Sequence, residues 1–253
     1  MSLNSKIEWT HHTGNLWWGC AEVHEGCDHC YARTLAHRYG TEWGNQVPRK
    51  KLKKALSQFL GMQATAQAAG EMHRVFVGSM MDIFEKDQPL VDHEGKKMEF
   101  GTDELRGQFF NDIVPACPNL LFLLLTKRPG NINKYIPEDW KTNPPKNVMF
   151  GTSPVTQKTA VEMIGKLKKV NGLRFLSVEP QLEYIDLRGH LLVGIDWVIQ
   201  GGESGPKKRP FNTDWAYDMR QVCEATRTPY FFKQIDKVQP VPADLLTRQF
   251  PEI

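Results

Sequence analysis

The sequence predicts an α/β protein, a partial (β/α)6 TIM-like barrel, on three observations. Short apolar runs alternate with longer amphipathic stretches. The runs are continuous rather than alternating, as strands covered on both faces are. Each run also ends in polar or charged residues, which is where a barrel of this kind carries its chemistry. Alternating strand and helix means βαβ units, a parallel sheet and right-handed crossovers. At 253 residues, the whole chain (1–253) fits one such barrel domain.

Taken in order, the strand runs are Val75–Met80, Leu120–Thr126, Asn147–Thr152, Leu173–Val178, Asp196–Gly201 and Pro229–Lys233. Helices are expected over Leu52–Ala69, Glu104–Val114, Thr156–Val170 and Thr213–Thr226. In the third, Thr156 is placed to cap, and Ala160, Met163, Ile164, Leu167 and Val170 recur at helical spacing. The fourth repeats the pattern with Ala216, Met219, Val222 and Cys223 on one face. Residues 85–102 form a long polar connection, and such a loop inside a compact domain suggests a lid.

Hydrophobic residues at 40% and charged residues at 24% place the chain among ordinary globular proteins. The longest apolar run, Leu120–Leu125, is far too short to cross a bilayer. Met1–Trp9 is polar, without the basic-then-apolar signature of a secretory signal, so a cytoplasmic protein is expected. In that compartment thiols stay reduced, and clustered cysteines are more often metal ligands than disulfides. The net charge of +3 does not by itself define a polyanionic partner. The basic runs Arg49–Lys54 and Lys207–Arg209 read either as solvated surface or as phosphate contacts.

Chemistry concentrates in one segment, Gly19 to Ala32, where Cys20, Cys27 and Cys30 have the spacing C-x6-C-x2-C. Thiolates two residues apart reach a common metal from a turn, and Gly19 and Gly26 let the backbone fold around it. Trp17 and Trp18 would supply a low-dielectric wall. Two metal readings follow. Zinc would need a fourth ligand, which His24 or His29 could provide. A 4Fe–4S cluster on three cysteines would leave one iron open. Cys223, on an apolar helix face, and Cys117, between Pro115 and Pro118, read as buried thiols outside the set. The strand ends add Ser79 and Asp82, Thr126-Lys127-Arg128, Thr152-Ser153, Glu179 and Gly201-Gly202-Glu203-Ser204. Singly these suit caps and turns; together they read as a site-forming mouth.

On these residues the chain resembles the radical SAM superfamily, with a first cysteine gap of six residues where the superfamily usually has three. The closer resemblance is to a phage and prophage family with the same three-cysteine segment. The matching segments are KIEWT, GC(x6)CDHCYA, VFVGSMMDIF, LLTKRP, FGTSPVTQ, RFLSVEP, DWVIQGGESGPKKRPF and PYFFKQ. Thr126-Lys127 and the segment around Ser153 are also similar to spore photoproduct lyase.

The resemblance implies a phage- or prophage-encoded enzyme of the host cytoplasm. Cys20, Cys27 and Cys30 would hold a 4Fe–4S cluster that binds S-adenosylmethionine at its open iron. One electron from a flavodoxin- or ferredoxin-type donor would then yield a 5′-deoxyadenosyl radical. It implies cofactor contacts from Ser79, Asp82 (beside Met81), Thr126, Lys127, Ser153 and Glu179. The superfamily's Gly-Gly-Glu segment follows the second strand, whereas Gly201-Gly202-Glu203 lies near the last strands, so that role is not transferred. Glu203, Lys207, Lys208 and Arg209 become candidate substrate contacts, with a nucleobase or nucleic acid the expected substrate and a small metabolite or peptide the other choice. A zinc-containing nucleic-acid-binding module without enzymatic activity is the alternative function.

Overall fold

Leu120–Thr126 (LLFLLLT) sits at the middle of the fold because it is apolar on both faces, and only a strand covered from both sides can bury it. In a computed structural model describing residues 5–205 and 207–253, it is the third strand of a seven-stranded sheet. Residues 1–4 and 206, which bear on the polar N-terminus and the GGESGP segment, lie outside the described residues. The strands are β1 (His12–Gly14), β2 (Trp17–Trp18), β3 (Arg49–Lys51), β4 (His73–Val77), β5 (Pro89–Val91), β6 (Lys97–Gly101), β7 (Leu120–Thr126), β8 (Val148–Thr152), β9 (Leu173–Val178), β10 (Trp197–Gly201) and β11 (Tyr230–Gln234). The main sheet runs β1-β4-β7-β8-β9-β10-β11, and every pairing in it is parallel. Strand order follows chain order, so each crossover steps the same way and the sheet curls into an open half-barrel with β1 and β11 at its edges.

All six expected runs are strands. The seventh, β1, is only three residues long, too short for a run to reveal; it exists because His12–Gly14 pairs with Val75–Val77. The helices are α1 (Tyr31–Arg38), α2 (Ser57–Ala69), α3 (Thr102–Gln108), α4 (Val114–Ala116), α5 (Ile132–Tyr135), α6 (Gln157–Leu167) and α7 (Asp214–Thr226). Strand and helix do not alternate strictly: no helix lies between β9 and β10 among the described residues. Thr156 caps α6 as expected, in a reciprocal pair in which its hydroxyl accepts from Thr159 N and the Thr159 hydroxyl accepts from Thr156 N. The expected 104–114 helix is interrupted by a π-turn at Phe109–Ile113 between α3 and α4.

Successive side chains of each strand point to opposite faces. The convex face, with Val75, Val77, Phe122, Leu124 and Phe232, packs under the helices in the main core. The concave face, with Phe76, Leu121, Leu123, Met149, Phe175, Trp197, Ile199 and Phe231, closes on Trp9 to fill the lower barrel. Two residues further along the same face the character changes, from Phe175 to Ser177 and from Phe231 to Lys233. The pleat therefore gives an apolar floor under a polar mouth.

Residues 85–102 are not an irregular loop. They hold the β5–β6 hairpin of a second sheet, ordered β2-β3-β5-β6. Arg49 fastens it, donating from Nε and Nη2 to the Glu85 carboxylate at 2.6 and 2.9 Å with both residues buried. Arg106 adds bonds from Nη1 to the Ile83 and Glu85 carbonyls. The first basic run is thus divided: Arg49 is interior, and Lys53 and Lys54 are exposed. Burial pushes the Glu85 carboxyl above its ordinary value while Arg49 pulls it down. Removing one partner strands a buried charge. Glu85→Ala should therefore cost about 3–5 kcal/mol in denaturant unfolding, whereas Lys53→Ala should stay within about 0.5 kcal/mol.

Candidate functional site

The cysteine segment crosses the open end of the half-barrel. Gly19 turns it with a φ of +121°, a conformation that favours glycine, and its N–H donates to Met80 O. A 3-10 turn follows at Glu25–Cys27, where His24 Nδ1 accepts from Gly26 N at 3.1 Å. Cys30 N then donates to Cys27 O at 3.2 Å, and Cys30 becomes the N-cap of α1. The x2 spacing is therefore a single turn. A Cβ on Gly26 would press into Val155 and the His24 ring, so glycine lets the segment lie against the end of β8.

Two arginines fix its ends. Arg128, just beyond β7, donates from Nη2 to Ala21 O at 2.8 Å and reaches Cys20 Sγ at 3.9 Å. The same guanidinium pairs with Asp82 Oδ2 at 2.7 Å. Asp82 Oδ1 accepts from Thr126 Oγ1 at 2.7 Å, so the ends of β4 and β7 are tied through one carboxylate. At the other end Arg209 donates to Glu25 O at 3.2 Å from both terminal nitrogens. It also holds Glu203 through its own N–H and side chain, and His29 Nδ1 donates to the same carboxylate at 2.9 Å. Although burial works against it, these bonds keep the Glu203 carboxyl below its ordinary value.

Beneath the segment lies a cavity of about 310 Å³. Cys20, Cys27 and Cys30 line it, as do the expected Ser79, Asp82, Thr126, Lys127, Ser153, Glu179 and Glu203. Sequence reasoning thus named residues from five separate strand ends that the fold gathers on one space. Some are already engaged: Ser79 Oγ accepts from Asn15 Nδ2 at 2.7 Å, and Glu179 is ion-paired with Lys233. Lys207 and Lys208 are not part of the lining; Lys207 is exposed, and Lys208 pairs with Asp236 at 2.8 Å. Arg209 acts on the cysteine segment from outside. Cys117 and Cys223 are fully buried elsewhere, as expected.

Trp17 belongs to the main core and Trp18 packs against Ala32, Ala36 and Met80, and neither lines the cavity. The aromatic wall comes instead from Trp9, Phe76, Tyr31 and Trp43. No spacing in the sequence marks Trp9 or Trp43. Ser177 and Lys233 did carry a signal, being two residues past concave apolar positions, and it becomes readable once the curl of the sheet is known.

Among the described residues, no three His, Cys, Asp or Glu side chains converge as ligands of one metal ion. His24, pushed to about 4 by burial and then by Lys127, is neutral at ordinary pH. Its Nε2 is buried without a hydrogen-bond partner. Burial, followed by the nearby Asp82, pushes the Cys20 thiol up to about 12, so any metal bound there must displace a proton.

Gly201 and Gly202 serve close approach rather than ligand contact. Gly202 N donates to Gln234 O at 3.0 Å, and a Cβ there would collide with the Ile235 carbonyl. They place Glu203 beneath His29.

A half-barrel whose mouth is bridged by three thiols, two anchoring arginines and a ring of polar strand ends defines the class of protein. A family model described as "Protein of unknown function (DUF5131)" matches residues 4–247, and the chain belongs to that family. No curated protein and no solved structure matches it.

Two outcomes are expected. Gly202→Ala should destabilise by on the order of 3 kcal/mol or more in denaturant melts, because a backbone carbonyl cannot rotate away. The depressed Glu203 contributes stability that is full above its ordinary value of 4.5 and is lost as pH falls through its lower folded value. Glu203→Gln should therefore flatten the acid side of a melting-temperature profile below the ordinary carboxyl value of 4.5. Identical acid slopes in the two proteins would contradict that assignment.

Proposed function

We propose that this protein is a radical SAM enzyme acting on a nucleobase or nucleic acid, with Cys20, Cys27 and Cys30 holding a 4Fe–4S cluster. The observation that carries the reading is the set of three thiols from one short segment on the wall of a single cavity, where the strand ends meet. Three cysteine ligands rather than four suit a 4Fe–4S cluster with one iron left open, whereas a structural zinc site is closed by four protein ligands. The finer architecture proposed is a partial (β/α)6 barrel to which β1 adds a seventh strand.

A 4Fe–4S cluster held by Cys20, Cys27 and Cys30 would supply one-electron reductive cleavage of S-adenosylmethionine, with a flavodoxin- or ferredoxin-type protein as the electron donor. The protein's own task is to bind, orient and shield. Arg128 and Arg209 fix both ends of the ligand segment before any metal arrives, which lowers the ordering cost of binding. Lys127 and Ser153 are donors placed for a carboxylate or ribose. Trp9 and Phe76 close the floor against water. The Glu179–Lys233 pair sets one negative and one positive group side by side on the cavity wall, for orienting a polar ligand.

The test is anaerobic purification with iron and sulfide analysis, followed by reduction with S-adenosylmethionine present. Wild type and Cys223→Ala should each hold about four irons and release 5′-deoxyadenosine, whereas Cys27→Ala should do neither. One zinc per chain with no nucleoside released would favour the zinc-binding module instead. Equal iron loss in the Cys27 and Cys223 variants would overturn the ligand assignment.

A further inference from the structure

We propose that the surface running outward from Cys30 along α1 to β3 is a track for single-stranded nucleic acid that ends in the cavity. It rests on the proposed function only for what happens at its inner end. Four aromatic rings mark its course. Tyr31 and Trp43 line the cavity itself, and Tyr31 is 52% exposed with its hydroxyl donating to Ser79 O at 2.9 Å. Further out, Trp18 and Tyr39 lie with ring centroids 5.9 Å apart, and Tyr39 is 67% exposed. Trp18, Trp43, Leu35 and Cys30 pack on Ala32, Ala36 and Met80, so the two tryptophans share a small core with Cys30.

The charge along this stretch is one-sided. Between Tyr31 and Lys54 the sole acidic residue is Glu42. Arg33 and Arg49 are neutralised by Glu22 and Glu85. Arg38, Lys50, Lys51, Lys53 and Lys54 have no ion pair among the described residues, and Arg38, Lys53 and Lys54 are exposed. The β2–β3 register sets Lys50 directly opposite Trp18, so a cation stands beside the outer ring pair.

Stacking rings flanked by lysines are what a single strand uses: every base has a π-face to stack, and the lysines follow the backbone. A duplex hides its bases and would meet only the charges. An acidic protein would likewise use the lysines and leave the rings idle. The cavity at the inner end, about 310 Å³, is the size of a small-molecule site, so no duplex can enter it.

The test uses the full chain in chelator-containing buffer, so that binding is read independently of iron. The probe is a fluorescein-labelled dT12 strand followed by anisotropy, with a duplex of equal length and polyglutamate as comparators. The strand should bind more tightly than the duplex and resist polyglutamate. Tyr39→Ala, a surface change checked by circular dichroism, should weaken strand binding on the order of tenfold through lost stacking. Replacing Lys53 and Lys54 together with Gln should reduce the slope of log K against log salt by about 1.4, two phosphate contacts at single-strand counterion release. No binding in 50 mM salt, no effect of Tyr39→Ala, or displacement of the strand by polyglutamate would overturn the track. Because Cys27→Ala should still bind dT12, failure of the cluster and failure of the track are separate results.

Discussion

The site depends on one carboxylate. Asp82 sits just past β4, buried, and takes Thr126 Oγ1 on one oxygen and Arg128 on the other. Through Arg128 the same charge reaches Ala21 O and the Cys20 sulfur. A buried guanidinium–carboxylate pair is stable only when its remaining hydrogen bonds are met, and here the cysteine segment helps meet them. Folding the sheet and placing the first thiol are therefore linked events. The arrangement also leaves Cys20 in surroundings that favour the neutral thiol.

Glu203 plays the corresponding part on the far side of the mouth. It gathers Arg209 and His29, and Arg209 carries the link on to Glu25 O. The segment between Cys20 and Cys27 is thus suspended between β7 and β10, and its six-residue gap is the span across that opening. Gly26 lets that segment pass close to Val155, after β8, where a Cβ would collide.

Much of this was legible in the sequence. Continuous apolar runs such as Leu120–Thr126 reveal buried strands because burial on both faces leaves no polar positions. Thr156 was readable as a cap because its hydroxyl competes for free helix N–H groups. The polar ends of those strands were visible as a set, and seven of the ten candidates outside the cysteines prove to share one cavity. What stayed hidden depends on partners far along the chain. β1 is a strand because of Val75–Val77, and the 85–102 hairpin holds because Arg49 and Arg106 reach it. Lys207 and Lys208 resembled Arg209 in type and neighbourhood, yet a turn of chain separates the residue that touches the cysteine segment from two that do not.

The central claim, a cluster on three thiols with one iron open to a small molecule, is tested most directly by electron paramagnetic resonance. Anaerobically reconstituted, reduced protein should give a 4Fe–4S signal whose line shape shifts when S-adenosylmethionine is added. A signal unchanged by S-adenosylmethionine, or a colourless protein carrying zinc after reconstitution, would contradict the account.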